Sequence, residues 1–333
     1  MRPRFAVTLL MFAACTTSAA CGPQDAGART KAVARKVRPL SKVETPADLG
    51  ERALAHVVNV VAFGDRYAGQ PGWRKQLDYI AAAIEKCGLR AEHDGWTEPK
   101  ENLFFENLSV TIPGSRQERI VLAAHHDTKR TQGHDDPAHN FAFAGANDGG
   151  SGIGLLLAML PALQAHKGAA TIQLLFLDGE ESLDWDWNHA ARALFGSKRF
   201  VKAHRDALLV GSEKPIVAMV LLDMVGRADL HLQEETYSTA ELREILWSAA
   251  VACGHQQHFF AASNGAEDDH KPFLDAGIPA VDLIDLEGNP TWHKPTDTVA
   301  NLSAASLQQV GEVVLTMLPE IERQYLPNRA PIR

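Results

Sequence analysis

Residues 174–182, LLFLDGEES, end an apolar run fit for a buried strand in three carboxylates, Asp178, Glu180 and Glu181. Adjacent ionised glutamates repel each other and add nothing to a core, so the pair calls for a surface turn or a cation. The pattern recurs along the chain. AAHHD ends in His125 and Asp127, and LLDMVG carries Asp223. GANDGGSG sets Asp148 in a glycine-rich turn, AEDDHKPF offers Asp268, Asp269 and His270, and TWHKPTD supplies His293 and Asp297. Singly, each has an ordinary explanation: a strand-ending Asp caps the next helix, and a lone His packs in a core. Jointly, at the ends of successive strands, so many facing carboxylates need a cation. His and carboxylate ligands without thiolate point to Zn²⁺ or a similar divalent metal with an open position for chemistry.

Other polar clusters read differently. His134, Asp135, Asp136 and His139 in GHDDPAHN fit an exposed loop, as do His255 and His258. A serine hydrolase is poorly supported, because Ser151 in DGGSGIG lacks the final glycine of a nucleophile elbow.

The elements that must position these residues alternate. WRKQLDYIAAAIEKCGL has helical periodicity up to Gly88, NLFFENLSVTIPG reads as a strand, and RIVLAAHHD as a buried strand. GSGIGLLLAMLPALQAH looks helical, with Pro161 bending it or marking its end. Strands TIQLLFLD, KPIVAMVLLDMVG and IPAVDLID then alternate with helices AARALFGSKRFVKAHR, STAELREILWSAAVACG and SAASLQQVGEVVLTMLPEIE. Such alternation predicts an α/β sheet with helices on both faces and the site beyond the strand C-termini.

The chain of 333 residues is 45% hydrophobic and 22% charged, enough for a substantial core. Its net charge of −8 and lack of a Lys/Arg cluster argue against a nucleic-acid partner. The first 21 residues combine basic Arg2 and Arg4, an apolar stretch from Phe5 to Ala14, and small residues, a secretory signal pattern too short to span a bilayer. Its removal takes the charge from −8 to about −10. FAAC and SAAC resemble a lipoprotein box without its usual leucine, so simple secretion and a lipid anchor on Cys21 or Cys15 both fit. Either way the protein is expected outside the cytoplasm, periplasmic or secreted. Residues 22–45 are polar and basic and read as a flexible linker, leaving 46–325 as the catalytic domain. No later run is long and apolar enough for a membrane span. Cys87 and Cys253 in the body of the chain fit a disulfide or free thiols equally, and exclude a cysteine-based structural zinc site. Nothing speaks to oligomeric state.

HHDT, GANDGGSG, FLDGEE, LLDMVG, DDHKPF and WH occur in the order and spacing of a known family. Over roughly residues 50–320 the chain resembles the zinc aminopeptidase superfamily that includes the glutaminyl-peptide cyclotransferases. The resemblance implies a single α/β domain with a mixed, mostly parallel central sheet. It implies Asp148, Glu181 and His293 as zinc ligands and Glu180 as the acid/base. His125 and Asp223 match the positions that hold a second metal in the aminopeptidases, whereas the cyclotransferases bind one zinc. Asp268 in place of a serine and Trp292 before the ligand His look like the cyclotransferase branch, especially its bacterial periplasmic members. There Asp268 and Asp223 join a hydrogen-bond network with the catalytic Glu, and Trp292 lines the pocket. Trp185 and Trp187 compete for a further pocket position, because this segment runs two residues longer; pinning a loop to the core is the alternative for both. Some wording departs: WHKPTDT leans toward the aminopeptidases, Asp282 replaces a His of the animal enzymes, and Ala124 and Ile153 stand where those carry a cysteine pair.

The implied reaction is cyclisation of an N-terminal glutamine on a peptide or protein to pyroglutamate, with loss of ammonia. Zinc would polarise the side-chain carbonyl while Glu180 moves the amine proton to the leaving group. The alternative is a two-zinc aminopeptidase in which Glu180 activates a bridging water. A binding protein that has lost its chemistry would show gaps in the ligand set, and there are none.

Overall fold

The computed structural model describes residues 35–187 and 189–327, and from Lys36 onward they form one compact unit. A six-stranded sheet runs in the order β1-β2-β4-β3-β5-β8. The strands are β1 (Glu92–Glu98), β2 (Leu103–Ile112), β3 (Arg119–His125), β4 (Thr171–Leu177), β5 (Ile216–Asp223) and β8 (Ala280–Ile284). β1, β2 and β4 pair antiparallel; β4, β3, β5 and β8 pair parallel, so the sheet is mixed as expected.

Each parallel strand is apolar on both sides because both faces are covered. Ile120, Leu122 and Ala124 of β3 face α1 (Leu49–Val61), α2 (Pro71–Lys86), α3 (Ser151–Ala165), α5 (Ala240–Cys253) and α7 (Ala304–Tyr325). The alternate residues Val121 and Ala123 face α4 (Phe195–Leu209) and α6 (His270–Asp275). α3 is buried almost all round, which its Leu-rich sequence requires, and it continues through Pro161 to Ala165. The amphipathic α1 was not among the elements read from sequence; it buries Leu49, Ala53, Val57 and Val60. Nor was edge strand β1, EHDGWTE, too polar to announce itself. A separate parallel pair, β6 (Leu232–Glu235) and β7 (Phe259–Asn264), stands beside the main sheet.

Part of the segment read as a linker packs on the domain. Residues 36–45 lie against α5 and α7: Arg38 N donates to Ser248 Oγ at 2.9 Å, its guanidinium pairs with Glu244 and Glu320, and Val43 N donates to Thr316 Oγ1. Cys87 and Cys253 are free thiols. The signal pattern with Cys15 and Cys21 lies outside the described residues. Among the described residues, no helix is long and apolar enough to cross a membrane.

Candidate active site and metal centre

Parallel pairing brings the chemistry to one edge of the sheet. His125, last in β3, pairs with Leu177 of β4, and Asp223, last in β5, pairs with Ile284 of β8. Beyond β4 the three carboxylates of the LDGEES segment separate in role. Asp178 is buried under the site, where its Oδ2 accepts from Trp73 Nε1 at 2.9 Å and Glu106 N at 2.7 Å. Gly179 turns with φ +67°, and a Cβ there would meet the Phe105 ring at 2.8 Å. Asp127 then receives the backbone N–H groups of both glutamates, Glu180 on Oδ1 at 3.1 Å and Glu181 on Oδ2 at 3.2 Å.

The Asp148 turn is fastened in the same manner. Asp297 Oδ1 accepts from Asn147 N at 2.8 Å, and its Oδ2 from Asp148 N at 3.1 Å. Asn147 in turn donates to Met224 O and accepts from Gly226 N, tying the turn to the end of β5. Asp127 and Asp297, both read as metal-grade side chains, therefore hold the backbone of the candidate ligands.

Asp148 sits between two histidines. Its Oδ1 lies 3.3 Å from His125 Nε2 and its Oδ2 3.5 Å from His293 Nε2. His293 Nε2 is 3.1 Å from Glu181 Oε1, and His125 Nε2 is 3.1 Å from Asp223 Oδ1. Two groups thus share Asp148: Asp148, Glu181 and His293, and His125, Asp148 and Asp223, each with ligand atoms within 4.8 Å. Asp148 Oδ2, Glu181 Oε2 and His125 Nδ1 are buried without a hydrogen-bond partner. Such orphaned atoms on a His/carboxylate set fit a divalent cation. Asp268, His270 and Asp282 form a third close group, but His270 Nε2 already lies 3.1 Å from Glu235 behind the cleft.

The electrostatics divide the acids. Burial pushes Glu180 well above the usual carboxylate range, and Glu181, Asp268 and Asp269 add to this against the pull of His125. Burial acts the same way on Glu181, but His293 and Lys129 outweigh it and hold that carboxyl at about 2. Burial also raises Asp268 strongly, reinforced by Asp223 and Asp269. Lys129, which no feature of the sequence singled out, is itself buried. Its Nζ donates to Ser182 O at 2.7 Å and Asp184 O at 2.9 Å, and lies 3.6 Å from Glu181 Oε2.

A cleft of about 260 Å³ opens over this edge, bounded by Asp148, Glu180, Glu181, Asp223, Asp268 and His293 on one side. Trp187, Met224, Ala266, Ile284, Leu286 and Trp292 give it an apolar remainder. Trp292 stacks on His293 with centroids 4.4 Å apart, and Met224 and His293 both hold left-handed backbone, φ +50° and +49°. The other two tryptophans take different places around the site. Trp187 lines the cleft, whereas Trp185 stacks on His139 at 3.6 Å with Lys129 across its ring and meets the candidate ligand His293 edge-on at 5.9 Å. That stack gives the exposed GHDDPAHN loop a packing role. His255 bonds Glu312 on α7, far from these strand ends in role. A larger depression of about 590 Å³ lies beside the N-terminal strap, but ion-paired Arg38, Glu244, Glu320 and Arg323 line it and it gathers no acid/base group.

Residues 107–318 match the model of peptidase family M28, a span that contains every candidate ligand. The chain belongs to peptidase family M28. Its similarities include several glutaminyl cyclases and also a leucine aminopeptidase precursor of Bacteroides thetaiotaomicron, 25% identical with a TM-score of 0.73 over 83% of this chain and 98% of that one. It is 31% identical to the glutaminyl cyclase of an Acidobacteriales bacterium, with a TM-score of 0.73 covering 85% of this chain and 99% of that one. The Bacteroides thetaiotaomicron glutaminyl cyclase bound to N-acetylhistamine is 25% identical, with a TM-score of 0.73 over 82% and 98%. A curated relative, the glutaminyl-peptide cyclotransferase-like protein of Bos taurus, is 28% identical over 281 residues, 77% of this chain and 72% of its own.

Proposed function

We propose that this M28 enzyme converts the N-terminal glutamine of peptides or proteins to pyroglutamate with release of ammonia, using one zinc ion held by Asp148, Glu181 and His293. When bound, the metal supplies a Lewis acid for the glutamine side-chain carbonyl. The chain's own residues do the rest. Trp187, Trp292 and the apolar wall of Met224, Ile284 and Leu286 take the methylenes of the glutamine side chain and keep water from competing as nucleophile. Glu180 takes a proton from the α-amine, whose nitrogen forms the new bond to the side-chain carbonyl carbon. The same carboxyl returns the proton to the departing amide nitrogen, which leaves as ammonia. A carboxyl that gives as readily as it takes needs a raised affinity for protons, and burial beside Asp268 and Asp269 supplies it.

The convergence of Glu180 and Asp268 on one cleft walled by Trp292 is the observation that carries this reading. Asp268 and Asp223 line the same cleft as Glu180, and Trp185 serves as a pin for the loop that bears Trp187. The intact His125, Asp148 and Asp223 group supports a second reading, a two-metal aminopeptidase. Incubating zinc-loaded protein with a Gln-initiated peptide separates the two. Loss of the mass of ammonia with the chain intact supports cyclisation; free amino acid and a shortened peptide support hydrolysis. The basic, apolar and small-residue N-terminus supports export, with either secretion or a lipid anchor as its end state.

A further inference from the structure

Behind the Asp268 side of the cleft lies a carboxylate that the mechanism leaves unused. Glu235 ends β6, and its side chain is fully buried. Its Oε1 accepts from Tyr237 N at 2.9 Å and from Ala266 N at 3.1 Å. Its Oε2 accepts from Ser238 N and Ser238 Oγ, both at 2.6 Å, and faces His270 Nε2 at 3.1 Å in an ion-pair contact angled off a straight hydrogen bond. Ser238 Oγ in turn accepts from Asp282 N on β8 at 3.0 Å.

These donors come from the turn after β6, from segment 265–268 and from the first residue of α6. All four residues of 265–268 line the cleft, and the last is Asp268. The turn and the segment also touch directly, since a Cβ on Gly265 would meet the Tyr237 ring at 2.7 Å. We infer that Glu235 is a positioning residue: it hangs the cleft wall from β6 and β8 and so sets Asp268 against Glu180. This deepens the cyclase reading and rests on it.

The charge matters as well as the shape. Every partner of both oxygens is a donor, so a glutamine in this place would press its NH₂ against N–H groups in either orientation. Burial alone would raise such a carboxyl; His270 and the Ser238 donors overcome it and hold Glu235 at about 2.

The test uses the mature zinc-loaded enzyme and its Glu235→Gln variant. Expected is a kcat lower by about tenfold to a hundredfold with KM within about twofold, the cost of displaced catalytic groups. Zinc content and inhibition by imidazole should stay at wild-type values, because Asp148, Glu181 and His293 stand on other loops. A kcat equal to wild type overturns the inference, as does a fall that brings loss of zinc and of imidazole binding, which marks general collapse. Should Glu235→Gln fail to fold, Ser238→Ala decides: it removes one donor and the acceptor for Asp282 N. A kcat about threefold lower with zinc and imidazole binding intact supports the inference, and an unchanged kcat sinks it. Wild-type protein that hydrolyses the peptide without releasing ammonia refutes the cyclase reading alone, and the same comparison of kcat is then made on the hydrolysis.

Discussion

Glu180 and Glu181 are neighbours in the chain and opposites in electrostatics. Their N–H groups end on the two oxygens of one carboxylate, Asp127, which fixes the turn and sends the side chains apart. Glu181 meets His293 and Lys129 and stays ionised, while burial and the neighbouring acids raise the proton affinity of Glu180. One becomes a ligand and the other an acid/base, although nothing in their residue type distinguishes them.

Replacing Glu180 by Gln should lower kcat by about 10²–10⁴-fold and leave the metal content unchanged, since the amide cannot shuttle the proton. Ammonia release and elemental analysis of the same sample check both halves. Retained turnover would assign the proton transfer elsewhere.

Metal affinity should depend on Asp297 although it donates nothing to the metal. Asp297→Asn puts an NH₂ where one of two backbone N–H groups now points, and should weaken zinc binding by about 10–100-fold. Competition with a chelator measures it. Titration of the chelated wild type should restore turnover at one equivalent, and a requirement for two would favour the peptidase.

The tryptophans should separate by readout. Trp187→Ala should raise KM with little effect on melting, because that ring faces the cleft. Trp185→Ala should instead cost about 2–3 kcal/mol of stability, below the fully buried range because the ring is part-exposed. Kinetics and denaturant unfolding on both variants test the contrast, and a larger KM effect for Trp185 would reverse it.

Stability should fall on mild acidification through His56. Burial, with Arg52 and Lys86 nearby, lowers this imidazole to about 4, and its Nδ1 contacts Tyr79 Oη at 2.8 Å. Between the folded value and the unfolded value near 6.5 the unfolded chain binds more protons. Stability from this group is therefore present above pH ~6.5 and is lost as pH falls toward 4, by about 2–3 kcal/mol. Urea midpoints against pH should flatten in His56→Gln over that window; an unchanged slope would rule this group out.

Much of the site was legible because parallel strands carry their ends to one edge, so residues ending apolar runs must meet. Strand ends gave His125, Glu180, Glu181 and Asp223, and the turns bearing Asp148, Asp268 and His293 joined them through the family resemblance. Asp127 and Asp297 had the right types for ligands, yet which carboxylates face the cation and which turn back to hold N–H groups depends on loop paths a few ångströms apart.

The sequence by itself determined the α/β alternation, the order of strand-end acids and the family resemblance, because hydrophobic period and residue spacing are local properties. Only the tertiary structure decided that Trp187 faces the cleft while Trp185 stacks on His139, since two residues apart on a loop carry no periodicity to sort them. It also brought Lys129, Glu235 and the Arg38 strap into play. Their partners lie up to 282 positions away in the chain, a separation that only packing can close.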